Sequence, residues 1–251
     1  MKTLWVGCSH SAGTYDINDS RVNTHGIPEE THKYFSNHTE WKSVSCSGEG
    51  LIRYSTILSY LDKHDMLVNF DNLILQLTSE TRLASYDNFD SYVTAFTELS
   101  KYLKSNNNSH HIFASKTAFS CNPYELYSMH EQGYDTKNKA KLLGTIEQLI
   151  ESLLLEFRLQ LSMHCNNILN IIERNSLNFY TYSHIRDDNV SGLYTEAFKK
   201  YDIFDSSPIG QILEHESLSE NFITATCHPK AQGVKDAARV VADGLSKAGM
   251  T

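Results

Sequence analysis

The sequence predicts an α/β sandwich built around a mainly parallel sheet. Three observations carry that reading. Five short apolar runs are spaced along the chain, segments with helical period separate them, and no Pro/Gly/Ser-rich linker divides them. The expected strands are Thr3–Gly7, Lys42–Cys46, Asn72–Leu77, His111–Ser115 and Asn178–Ser183. The first and third are nearly continuous in apolar character, as strands covered on both faces should be. Helical periodicity marks Leu51–Lys63 and Phe89–Lys104. It is strongest from Lys139 to about Arg174, where Leu142, Ile146, Leu149, Leu153, Phe157 and Leu161 recur at three- or four-residue steps and Ile168 and Ile172 extend the stripe. A helix of that length is unusual, so a break is expected near His164–Asn167. A last helix follows Pro229, carries Val234, Ala238, Val241 and Leu245 on one face, and ends at Gly249. A single domain over the whole chain is expected, with two long irregular excursions at Phe119–Lys137 and Arg186–Asn221.

Composition narrows the function classes. The chain has 251 residues, 40% of them apolar, and a formal net charge of −8 with 12 histidines. Without a basic tract it lacks the electrostatic footprint of a nucleic-acid binder. The apolar run at the N-terminus is too short for a signal-peptide core, and Leu149–Leu161 is interrupted by Glu151, Glu156 and Arg158. The expectation is a cytoplasmic protein that binds neither nucleic acid nor membrane. Five cysteines, an odd number in a chain too large to need stapling, read as thiols rather than a disulfide framework.

In an open parallel sheet, ligands sit at the carboxyl ends of the strands. The first run ends in Gly7-Cys8-Ser9-His10-Ser11, a small-residue turn able to present a hydroxyl and free backbone N–H groups. Taken alone, that stretch is more simply a strand-to-helix turn capped by Ser9 or Ser11. Cys227-His228-Pro229 stands directly before the last helix, where a histidine held by a proline is positioned to act as a general base. Alone it is one exposed loop histidine among twelve.

Together, in this order and over nearly the full chain, these stretches resemble the SGNH (GDSL-type) hydrolase family. The resemblance implies a flavodoxin-like three-layer α/β/α fold with a roughly five-stranded sheet. It makes Ser9 the nucleophile, His228 the base, and the backbone N–H groups of Ser9 and Gly48, within Ser45-Cys46-Ser47-Gly48, the oxyanion site. Leu75 to Arg82 stands where the family's third block belongs, so His10, Thr78, Glu80 and Arg82 become candidate substrate contacts. The pattern departs from the family at several places. Cys8 replaces the aspartate of the first block. Thr78 and Glu80 replace a glycine and an asparagine, and Ala225 and Thr226 stand where an orienting aspartate would be. An ionised glutamate cannot donate to an oxyanion, and one lost donor of that kind costs about 3 kcal/mol in the transition state. Arg82 is a substitute donor or an anchor for an anionic substrate group.

The resemblance therefore implies a serine esterase that removes a small acyl group, O-acetyl by preference, from a small-molecule or carbohydrate ester. The other reading is a catalytically weakened module that binds a carbohydrate or protein partner. Cys8, Cys46 and Cys227 fall in three blocks that the fold would gather at one end of the sheet, beside His10 and His228. Zinc ligation and a Cys8 nucleophile both follow from such a cluster, but no C-x-x-C pair occurs. Small thiols packed beneath the turns is the reading adopted, with no metal and no cofactor expected.

Overall fold

The computed structural model describes residues 1–8, 11, 14–17, 20–23, 26–36, 40–46, 50–78, 89–106, 108–113, 159–183, 193–205, 207–215 and 229–250. Five strands form one all-parallel sheet: β1 (Lys2–Gly7), β4 (Glu40–Ser45), β5 (Asn72–Leu77), β6 (Ser109–Ile112) and β7 (Asn178–Ser183), in the spatial order β6-β4-β1-β5-β7. A separate antiparallel hairpin pairs β2 (Thr14–Ile17) with β3 (Ser20–Asn23). The central three strands follow the order second, first, third, as in flavodoxin-type sheets. The fourth adds outside the second.

Side-chain alternation builds the three layers. Leu4, Val6, Val44, Leu73, Leu75 and Leu77 face a core covered by α2 (Leu51–Lys63), α3 (Phe89–Lys104) and α4 (residues 159–175). Trp5, Ile74 and Tyr182 face the other core, covered by α1 (Ile27–His32), α6 (Ile209–His215) and α7 (Ala231–Lys247). The expected α/β/α architecture is therefore the one observed, and β1 and β5 are covered on both faces as their apolar runs require. On the second face, Trp5 Nε1 donates to His32 Nε2 at 2.8 Å, and His32 stacks on Trp41, which fixes α1 to the sheet.

Several boundaries depart from expectation. The fourth strand starts at Ser109, two residues ahead of His111. The Tyr102 hydroxyl accounts for this: it accepts from the Ser43 N–H at 2.9 Å and donates to the Ser109 carbonyl at 2.7 Å, tying the start of β6 to β4. No helix break occurs at His164–Asn167, because α4 runs unbroken through it. The polar residues there are interhelical contacts. His164 Nδ1 meets Ser55 Oγ at 3.0 Å, and Asn167 Nδ2 donates to Ser55 and Ser59 of α2 at 2.9 and 2.8 Å. The stretch Arg186–Asn221 is not wholly irregular, since it contains α5 (Leu193–Phe198) and α6. Ile209 and Leu213 of α6 are fully buried against α7. The excursion at Phe119–Lys137 lies outside the described residues.

Two helix ends on the first face use the same stop. Met66 N–H reaches back to the Leu61 carbonyl at the end of α2, and Leu177 N–H to the Ile172 carbonyl at the end of α4. Each leaves one residue left-handed, Asp65 at φ 53° and Ser176 at φ 52°. Helix α7 ends in the same way, with Gly249 at φ 94° and Met250 N–H bonded to the Leu245 carbonyl.

Candidate active site

The carboxyl end of β1 lies between the ends of β4 and β5. Register pairs Gly7 with Ser45 and Val6 with Leu75, which sets Gly7 beside Gln76, and Gln76 pairs in turn with Tyr182 on β7. Ser45, Gly7, Gln76 and Tyr182 thus form one row across four strands, on the face that α7 covers. Beyond Gly7 the chain turns: Ser11 N–H donates to the Cys8 carbonyl at 3.0 Å, closing a four-residue turn. The parallel ladder runs one residue further on the neighbouring strand, where Cys46 N–H bonds the Gly7 carbonyl at 2.7 Å.

Gln76 organises this end of the sheet. Its side chain is fully buried, and its Oε1 accepts from the Cys8 N–H at 3.3 Å, from the Ser11 hydroxyl, and from the Cys8 thiol at 3.7 Å. A side chain at position 7 would destroy the arrangement, because a Cβ on Gly7 would lie 2.7 Å from Gln76 Oε1 and would also overlap Ser11 Oγ. Glycine is present here for close approach, not for an unusual dihedral. The row also carries unspent hydrogen-bonding capacity. Among the described residues, Gln76 Nε2, Tyr182 Oη and Ser45 Oγ are buried and meet no hydrogen-bond partner. Burial pushes the Tyr182 phenol well above its ordinary value; the nearby Cys8 thiol adds to the rise and the Ser11 hydroxyl opposes it.

This geometry limits the chemistry of the turn. An amide oxygen is not a base, so the Ser11 hydroxyl that donates to it is a strut and not a nucleophile. Of the sequence-derived site residues, Thr78 is described: it stands buried, one residue past the end of β5. Ser9, His10, Gly48, Glu80, Arg82, His228 and Cys227 lie outside the described residues. Cys8 and Cys46 are both buried, as expected of packing thiols. They serve different places. Cys46 belongs to the core under α2 and α3, while the Cys8 thiol turns toward Gln76. Among the described residues no three His, Cys, Asp or Glu side chains gather as a metal site, and no helix is long and apolar enough to cross a membrane.

Gln76, Ser11 and Tyr182 are the parts of this site that motif reasoning passes over. One signal for them is present in the sequence. A glutamine among the apolar residues Leu73, Ile74, Leu75 and Leu77 has to be hydrogen-bonded if the strand is covered on both faces.

The chain matches no protein-family model, and no curated protein matches it.

Proposed function

We propose that the chain is an SGNH-like serine esterase acting on a small acyl ester, an O-acetylated carbohydrate being the favoured substrate. The observation that carries this reading is the braced turn at the carboxyl end of β1. Cys8 and Ser11, joined by a backbone hydrogen bond, lie beside the ends of β4 and β5, where parallel α/β sheets bind their ligands, and Ser9 and His10 follow Cys8 in sequence. Chain order adds support. Helix α7, preceded in sequence by His228-Pro229-Lys230, packs on the same face as the Gln76 row.

In this mechanism Ser9 attacks the ester carbonyl while His228 takes its proton. The N–H groups of Ser9 and Gly48 hold the oxyanion, and the collapsing intermediate expels the alcohol, protonated by His228. Water, activated by the same histidine, then releases the acid. Thr78, His10, Glu80 and Arg82 contact the substrate, and no metal or cofactor takes part.

A serine-reactive fluorophosphonate probe tests the reading. The wild type should label and should hydrolyse p-nitrophenyl acetate, and both signals should vanish in Ser9→Ala and His228→Ala. A wild type that neither labels nor turns over the ester sinks the esterase. The alternative then standing is a module that binds a carbohydrate or protein partner.

A further inference from the structure

We propose that Gln76 is a positioning residue: its carboxamide, reaching across from β5, sets the backbone of the turn from Cys8 to Ser11. The inference rests on three observations. The turn is closed by one backbone hydrogen bond, and both of its ends are tied to a single acceptor, Gln76 Oε1, through the Cys8 N–H and the Ser11 hydroxyl. Gly7 leaves room for that acceptor and for Ser11 Oγ, space that any Cβ would occupy. The carboxamide is fully buried, and among the described residues only its oxygen is engaged. A polar side chain in a strand covered on both faces is explained by what that oxygen does.

The consequence for chemistry depends on the reading of Ser9 as nucleophile, because Ser9 sits between the two tethered residues in sequence. A misplacement of about 1 Å in a reacting group can cost about a hundredfold in rate. Gln76 would then govern reactivity without touching substrate.

The experiment uses Gln76→Leu, Gln76→Glu and Ser11→Ala in the full chain and reads three quantities. They are fluorophosphonate labelling rate, thermal midpoint, and the rate at which an aromatic disulfide reagent modifies Cys8, assigned by difference against Cys8→Ala. Gln76→Leu removes the acceptor and should slow labelling about a hundredfold. It should also release Cys8, now 1% exposed, to the reagent. Gln76→Glu keeps an oxygen for both donors. It should restore most of the labelling and keep Cys8 protected, even though a buried carboxylate lowers its thermal midpoint. That inversion, reactivity recovering while stability falls, separates positioning from a merely structural role. Should Gln76→Leu fail to fold, Ser11→Ala removes one of the two tethers, and intermediate slowing with partial thiol release is expected.

The outcomes divide cleanly. A wild type that does not label, with Cys8 released by Gln76→Leu, rejects the esterase and keeps the clamp. Normal labelling and a protected Cys8 in Gln76→Leu overturn the clamp and keep the esterase. Labelling that simply tracks the thermal midpoint across all variants also overturns it.

Discussion

A primary carboxamide offers two acceptor positions and two N–H donors, and among the described residues Gln76 spends only the first kind. Its neighbour Tyr182 is in a similar condition: its ring is fully buried against Trp5, and its hydroxyl meets no hydrogen-bond geometry among the described residues, although the Ser11 hydroxyl lies close enough to oppose the rise in its pKa. Leaving a buried polar group unsatisfied costs about 1–3 kcal/mol, so removing it together with its demand should not weaken the fold. Tyr182→Phe is therefore expected to be neutral or to stabilise by about 1 kcal/mol, measured by urea denaturation with an unchanged m-value. A loss of comparable size would mean that the hydroxyl is in fact satisfied. This separates Tyr182 from Gln76, whose oxygen is fully engaged and whose replacement by an apolar residue should be costly.

Elements are held to one another here by polar seams as well as by apolar faces. Helix α4 lies along α2 through His164, Asn167, Arg174 and Asn175, which meet Ser55, Ser59 and Asp62. The arginine of that seam is exposed, so its ion pair adds little. The buried apolar row Leu161, Ile168, Ile171 and Ile172 carries the packing, at about 1.5–3 kcal/mol for each fully buried side chain. Where α4 stops, Ser176 adopts the left-handed region that favours glycine. Relieving that conformation is worth about 1–2 kcal/mol, against about 0.5–1 kcal/mol of extra chain entropy that glycine loses on folding. Ser176→Gly should therefore raise stability by about 0.5–1 kcal/mol, read as a higher urea midpoint. A lower midpoint would mean that the serine side chain stabilises the stop.

At the scale of the whole molecule, half-buried histidines couple the fold to pH. Burial against β4, reinforced by its neighbour His111, pushes His110 down to about 4, while its Nδ1 stays 3.0 Å from Ser43 Oγ. His111 and His164 are also lowered, chiefly by burial, with Glu98 partly opposing the shift at His111. A folded-state value below the unfolded one means that the unfolded chain takes up the proton first. Above about pH 6.5 neither state is protonated at His110 and the full stability is present. As pH falls toward 4, stability is lost at up to about 1.4 kcal/mol per unit, and below 4 the contribution no longer changes. Urea denaturation at pH 7.5 and pH 5 should show the wild type losing about 2 kcal/mol more than His110→Gln. Equal losses in the two proteins would remove His110 from the acid response.

Period-two and period-3.6 patterns depend on which face of an element is buried, and they survive in a bare sequence. For that reason all five sheet strands, α2, α3 and α7 are legible in the sequence, α2 and α3 to the residue and the fourth strand with its start shifted by two. Short or polar elements left no such trace. The β2–β3 hairpin, α1, α5 and α6 are four to seven residues long, too short for a period to accumulate. The polar seam of α4 even imitated a helix break. At the site, the sequence supplied the glycine, the small turn and its place after a strand. That Gln76 would reach across from β5 to hold both ends of that turn depended on which strands became neighbours. The order β6-β4-β1-β5-β7 is a property of long-range pairing, and local sequence does not encode it. The odd cysteine count and the lack of a basic tract are properties of the sequence alone. Only the tertiary structure decided which buried polar atoms would meet, because a hydrogen bond between residues 65 apart forms only once the sheet has brought its strands together.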